Sequence, residues 1–281
     1  MLRIAYDGTD YVGWQKQPNG LAVEEVINGA LHELTGEQIE VIGASRTDSG
    51  VHALGNVAVF DTESRIPGDK FAYALNQRLP GTIVVQESCE VAADFHPRHA
   101  ECVKTYEYHI YNASHPNPLN ARYSYFCHTP LDIGKMRAAA QYLVGEHDFA
   151  SFCSAGAQVK TTVRTIYSVG VLTEETESGS AVAAAADSSN AARMALSVST
   201  ARDRHLHGPV TIRIRGNGFL YNMVRIIAGT LLQVGIGAIP PENMAGIIAA
   251  ADRSKAGPTA PPEGLTLVRI EYGAAGADSV K

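Results

Sequence analysis

Hydrophobic positions recur at helical spacing at Val23, Val26, Ile27, Ala30, Leu31 and Leu34, which predicts a helix with one buried stripe. Gly36 supplies its stop signal, and Glu24 and Glu25 occupy the first turn, where negative charge suits the helix dipole. Gln38 to Ile42 and Asn56 to Asp61 read as short strands. The stretch between them, residues 43–53, is too polar for a core strand and too rich in glycine for a helix. A second helix is predicted over about Asp69 to Arg78 and a strand over Ile83 to Gln86. Thr105 to Tyr111 alternates, putting Tyr106, Tyr108 and Ile110 on one face. Asp132 is the expected cap of a helix that buries Ile133, Met136, Ala140 and Leu143 and ends at Gly145. Val163 to Leu172 and Val210 to Arg215 read as strands. A long helix over about Leu220 to Val234, with Met223, Ile226, Ile227, Leu231 and Val234 as its stripe, precedes a last helix and a last strand, Leu265 to Tyr272.

Strands and helices are intermingled without a regular βαβ rhythm, so the expected class is α+β. A boundary near residue 100 divides the chain into an N-terminal half, 1–100, and a C-terminal half, 101–273, with a tail over 274–281. Residues 174–209 are rich in Ala, Ser, Asp and Glu and read as an inserted, solvated hairpin excursion. Its basic end (Arg202, Arg204, His205, His207) could brush a polyanion.

Composition narrows the function classes. With 45% hydrophobic and 19% charged residues, the 281-residue chain is neither disordered nor fibrous. No stretch reaches the roughly 18 to 20 apolar residues of a membrane span, and the first residues do not read as a secretory signal. Cys89, Cys102, Cys127 and Cys153 lie far apart with no CxxC pair, which fits neither a zinc site nor a disulfide framework. A reducing cytoplasm is the expected compartment. The net charge is −6, unfavourable for a nucleic-acid binder unless the basic residues are gathered on one face. Screening over a Debye length of roughly 8 Å makes that local face the quantity that matters.

The sharpest local feature is Gly43-Ala-Ser-Arg46-Thr-Asp48-Ser-Gly50-Val-His52. Asp48 on such a loop is either the carboxylate of an Asx turn or a chemically active group. No metal-binding motif, phosphate loop or dinucleotide fingerprint accompanies it.

Several motifs in order resemble the tRNA pseudouridine synthase A family, from about Ile4 to Tyr272. They are Ala5 to Gly8, Tyr11 to Gln17, Ser45 to Ala53, Asn76 to Pro80, Asp94 to Arg98, Lys104 to Tyr108, Gly145 to Phe149, Asn217 to Arg225 and Glu263 to Val268. Two departures stand out: the 174–209 stretch looks inserted, and Thr105 replaces a basic residue. The resemblance implies the pseudouridine synthase fold, a mixed and mostly antiparallel sheet flanked by helices, in two similar halves with a central cleft. It implies isomerisation of uridine to pseudouridine at positions 38–40 of the tRNA anticodon stem-loop, by a homodimer, without cofactor or metal.

Asp48 matches the family's catalytic carboxylate, acting as nucleophile or base, and Arg225 matches the cation that keeps it ionised. Tyr106 matches the active-site tyrosine and Leu265 an apolar residue of the uracil pocket. Lys16, Arg46, Arg78, His96, Arg98, Lys104 and Arg122 are the candidates for contact with RNA. Two rival functions share these residues: an RNA-binding module without turnover, and a small-molecule enzyme using Asp48 as a base.

Overall fold

The computed structural model describes residues 1–156, 159–174 and 206–273. In chain order the first elements are β1 (Leu2–Tyr6), α1 (Val23–Thr35), β2 (Ile42–Gly43), β3 (His52–Val59), α2 (Phe71–Asn76), β4 (Ile83–Ser88) and β5 (Cys102–Asn112). They are followed by β6 (Tyr125–Cys127), α3 (Ile133–Gln141), β7 (Gly145–Asp148), β8 (Val163–Thr173) and β9 (Gly208–Gly216). The last described elements are α4 (Met223–Gly235), α5 (Asn243–Ala250) and β10 (Leu265–Tyr272). The class is α+β, with mostly antiparallel pairings; β3 with β10 and β5 with β6 are parallel. Among the described residues, no helix is long and apolar enough to cross a membrane.

Two compact units divide the chain, Met1–Tyr106 with Leu265–Lys281, and Glu107–Gly264. The division falls after Tyr106 rather than near 100, and the last strand belongs with the N-terminal unit rather than with the C-terminal half. The reason is pairing: Thr266 and Leu267 of β10 lie beside His52 and Ala53 of β3.

The first unit orders its strands β4-β1-β3-β10-β5, with β2 also on β3. Leu2, Ile4 and Tyr6 of β1 alternate into its core, together with Ile83 and Val85 of β4. The sequence reading passed over β1, although its alternation is plain. Helix α1 buries Val23, Ile27, Ala30 and Leu31, each large side chain contributing about 1.5–3 kcal/mol. Glu25 reaches back to accept the Ala22 N–H at 3.1 Å, and Gly36, at φ 78°, closes the helix by donating to His32.

Two strand expectations need correction. Only Ile42 and Gly43 pair as β2; Ile39 and Val41 are buried, but the Val41 N–H bonds to Asn28 Oδ1 at 3.0 Å instead of to a strand. Strand β3 begins at His52, four residues before the predicted start, and spans Gly55. A Cβ on Gly55 would stand 2.8 Å from the Val268 carbonyl, so close approach to β10 explains a glycine that reads as a breaker. The predicted second helix is shorter, a 3₁₀ turn over Gly68–Lys70 followed by α2. Asn76 docks α2 on β4 through two 2.8 Å bonds to the Val85 backbone.

The second unit orders its strands β5-β9-β8-β7, with β6 on β5. Asp132 caps α3 by accepting the Lys135 N–H at 2.9 Å, as expected. The helix ends at Gln141, and Gly145, at φ 114°, begins β7, a polar strand that periodicity did not disclose. Helix α4 starts three residues later than predicted, because Leu220–Asn222 forms a turn with Asn222 at φ 60°, a conformation asparagine tolerates. It is buried nearly all round rather than along one stripe. Gly229 makes part of this possible: a Cβ there would stand 1.9 Å from the Pro258 carbonyl.

Candidate active site

In the first unit, residues 44–51 form the loop that carries Asp48, and its position is fixed by close approach on several sides. Gly8 lies so near it that a Cβ would stand 2.0 Å from the Val51 carbonyl oxygen. Gly13, at φ 109°, would put a Cβ 2.6 Å from the Thr47 carbonyl. The backbone of the preceding turn bonds along the loop: Trp14 N–H donates to the Thr47 carbonyl at 3.1 Å, and Gly50 N–H to the Tyr11 carbonyl at 3.2 Å. Trp14 is fully buried, its ring lying where a Gly43 side chain would be.

Side chains beneath the loop continue the support. The hydroxyls of Tyr6 and Thr47 share a 2.7 Å bond. Asn56, fully buried in β3, donates to the Ser45 carbonyl at 3.0 Å and accepts the Ser45 N–H at 3.3 Å. The His52 ring accepts the Gly8 N–H at 3.1 Å, with Asp7 Oδ1 3.3 Å from the same nitrogen. Tyr6, Ser45 and Thr47 belong to motifs that carry the family resemblance, whereas Asn56 lies outside them. Asp48 itself stays half-buried, open enough for a ligand to reach.

Tyr106 ends the unit's share of β5 and is 8% exposed. Burial, opposed by a side-chain hydrogen bond with Ser45 and reinforced by the charge of Asp48, pushes its hydroxyl pKa up to about 12. Asp48, Ser45 and Tyr106 therefore form one electrostatic neighbourhood. Leu265, 5% exposed, opens β10 one residue before Thr266, which pairs with His52. The sequence reading had drawn both Tyr106 and Leu265 from the second half; both lie in the first unit, with Asp48.

Of the expected RNA-facing cations, Arg98, Lys104 and Arg46 gather at this loop. Arg98 Nε donates to the Gly43 carbonyl at 2.8 Å, and Lys104 Nζ donates to the Ala44 carbonyl and to Ser45 Oγ, both at 2.9 Å. Burial lowers the pKa of both; Arg46 lowers each further against Glu24 for Arg98 and Cys102 for Lys104, and Arg98 also lowers that of Lys104. His96 and His99 stack at 4.0 Å between ring centroids on the loop that carries Arg98. Lys16 is exposed, with Nζ 3.6 Å from Glu25, and Arg78 donates to the Ala74 carbonyl at 2.9 Å at the end of α2.

Arg225 lies in the second unit. Its Nε donates to the Ala260 carbonyl and one terminal nitrogen to Asn222 Oδ1, both at 2.8 Å. The Tyr108 hydroxyl donates to the neighbouring Pro261 carbonyl at 3.0 Å, and burial raises its pKa, with Glu263 adding to the rise and Arg225 opposing it. Arg122 is exposed in the same unit. His207 is occupied structurally, its ring bonded to the Leu131 carbonyl at 3.0 Å, while Arg202, Arg204 and His205 lie outside the described residues. A cavity of about 290 Å³ lies between β6, α4 and residues 258–261, and none of the expected site residues lines it.

The family model described as tRNA pseudouridine synthase matches residues 3–99 and 139–273. A protein named tRNA pseudouridine synthase A from Ruminiclostridium cellulolyticum is 45% identical over 271 residues, covering 96% of this chain and 98% of that one. Proteins of the same name from Acetivibrio thermocellus and Brevibacillus brevis are 46% and 45% identical, each over 96% of this chain and 98% and 97% of their own.

Proposed function

Because the chain belongs to the tRNA pseudouridine synthase family, and is therefore an isomerase, we propose that it converts uridine to pseudouridine at positions 38–40 of the tRNA anticodon stem-loop, with Asp48 as nucleophile or base and no cofactor. The observation that carries this reading is the fixed, half-buried position of Asp48 beside Tyr106 on a loop braced from Gly8, Gly13, Trp14 and Asn56.

The reaction breaks the N1–C1′ bond, turns the uracil and joins C5 to C1′; the C5 proton is released and N1 takes one up, so substrate and product are isomers. One carboxylate serves as nucleophile or base for that sequence. The target nucleotide has to leave its stack to reach it, and Tyr106 offers a ring and a hydroxyl to the extruded base while Leu265 excludes water. A carboxylate covered by a pyrimidine tends to take up a proton, and a cation opposes this. Arg225 is the proposed counter-charge, on the strength of the Asn217 to Arg225 motif. Arg46, Arg98 and His96 supply the phosphate contacts nearest the loop, with Lys16, Arg78, Lys104 and Arg122 as further basic residues; binding is then salt-sensitive. The working form is proposed as a cytoplasmic homodimer.

The test uses tRNA transcripts labelled with tritium at uridine C5, since bonding C5 to C1′ releases that label. The intact protein is expected to release it, and mapping of the product is expected to place pseudouridine at positions 38–40. Asp48→Asn is expected to abolish release while holding tRNA affinity within about threefold, because only one charge is lost from a largely basic contact surface. An Asp48→Asn protein that still turns over would remove the assignment, and release confined to free nucleosides would remove the substrate.

A further inference from the structure

Residues 43–45, which lead into the Asp48 loop, are buried, so their backbone carbonyls need partners inside the protein. Three side chains from different parts of the first unit supply them, one for each successive residue. Arg98 Nε donates to the Gly43 carbonyl at 2.8 Å, Lys104 Nζ to the Ala44 carbonyl at 2.9 Å, and Asn56 Nδ2 to the Ser45 carbonyl at 3.0 Å. Lys104 gives a second proton to Ser45 Oγ at 2.9 Å. The loop that carries Arg98 is itself pinned to the end of β10. There the Tyr272 hydroxyl donates to the Pro97 carbonyl at 3.0 Å, and its ring meets Phe95 edge-on with centroids 5.1 Å apart. A neutral amide suffices at Ser45, yet Gly43 and Ala44 are held by two cations, which repel one another. Charged donors make shorter hydrogen bonds, roughly twice as strong as neutral ones, so the pair holds these two peptides more firmly than amides would.

We propose that Arg98 and Lys104 are positioning residues, a two-cation clamp on the Gly43 and Ala44 carbonyls that sets where Asp48 stands. The role adds to the phosphate contacts proposed above, and it rests on the reading that Asp48 acts on uridine. From the clamp the constraint passes through Ser45, whose N–H and carbonyl both bond to Asn56. It reaches Thr47, whose carbonyl accepts the Trp14 N–H and whose hydroxyl bonds to Tyr6, immediately before Asp48. Arg46 alone in this run is exposed. Without the two cations the Gly43 and Ala44 carbonyls would turn towards water, and the start of the loop would lift from the Trp14 ring packed beneath Gly43.

The test reads turnover and loop position separately. Arg98→Met and Lys104→Met are each expected to lower kcat at saturating tRNA about tenfold, the scale of one charge-assisted hydrogen bond. A phosphate contact alone would act otherwise, raising KM and flattening the salt dependence with kcat unchanged. The second readout needs neither RNA nor turnover. Trp14 is the chain's one tryptophan, and its buried ring lies against Gly43. Its fluorescence should shift to longer wavelength in Arg98→Met and in Lys104→Met, as water reaches the ring. Arg98→Lys and Lys104→Arg, which keep a charged donor, should restore the emission and most of kcat. Where Arg98→Met or Lys104→Met does not fold, Arg98→Gln or Lys104→Gln, which keeps a neutral donor, should show the same changes at smaller size. A saturating kcat within about twofold of the parent, or an unmoved Trp14 emission, at either position overturns the clamp. Failure of the enzymatic reading looks different: the unsubstituted protein then leaves tRNA uridine unchanged, and the Trp14 emission still decides the clamp.

Discussion

Gly8→Ala is a small change with a large expected consequence. The added Cβ would stand 2.0 Å from the Val51 carbonyl oxygen, 2.6 Å from its carbon and 3.1 Å from its nitrogen. All three contacts are backbone, so no side chain can swing aside. Restoring a separation of about 3 Å requires the two segments to part by about 1 Å, a distance set by ordinary van der Waals radii. The loop cannot yield at Val51 alone, because the Val51 N–H bonds to the Asp48 carbonyl at 3.1 Å and carries the displacement to the carboxylate. A misplacement of about 1 Å at a reacting group costs about a hundredfold in rate, or about 2.7 kcal/mol in the barrier. Overpacking costs about 1–3 kcal/mol in stability, which lowers Tm by roughly 2–12 °C in a chain of this size. Tritium release and thermal denaturation measured on the same preparation separate the two effects. Gly29→Ala is the control: nothing lies within 4 Å of its Cβ, it is inside α1, and it is expected to gain about 0.5–1 kcal/mol with no change in rate. A Gly8→Ala protein with kcat within about threefold of the parent would refute the claim that close backbone approach at Gly8 holds Asp48.

Two further outcomes are expected. Thr105, 3% exposed, has a hydroxyl without a hydrogen-bond partner among the described residues, so Thr105→Val should raise stability by about 1 kcal/mol with turnover unchanged, measured by chemical denaturation; a loss of stability would show that the hydroxyl is satisfied. Turnover should fall on the alkaline side as Lys104 loses its proton below the usual lysine range, its pKa lowered by burial and by Arg98 and Arg46 and raised by Cys102. The sign for folding is opposite: between the lowered folded pKa and the unfolded value the unfolded chain binds more protons, so this group makes the protein more stable as pH rises there. Alkaline inactivation that tracks unfolding, or persists unchanged in Lys104→Met, would remove Lys104 as its source.

The parts of the fold that were legible in the sequence are those where local pattern and tertiary environment agree. Helix α1 has an apolar stripe, acidic first turn and closing glycine, and it formed where these signals placed it. Asp132 and β10 behaved likewise. Strand β3 and helix α4 were harder because they are buried on nearly all sides, which erases the two-residue and 3.6-residue contrasts that define an element's face. Their glycines, Gly55 and Gly229, are there for close contact and read as interruptions. At the candidate site, motif order pointed to Asp48 and Tyr106, but the hydrogen bonds that Tyr6 and Asn56 make beneath the loop, the first across 41 residues and the second across 11, are relations no local spacing encodes. The acceptors of Lys104, Ala44 and Ser45, are likewise beyond what local spacing encodes.

The return of β10 to the N-terminal unit has a consequence for synthesis. While the ribosome is still making residues 107–264, β3 lacks its parallel neighbour and the unit has a gap in its strand order between β3 and β5. At about 5–20 residues per second this interval lasts roughly 8–30 s. During it the nascent chain carries bare strand edges, a template for unwanted association. Maturation of the Asp48 loop, which lies immediately before β3, thus waits on the last strand to leave the exit tunnel.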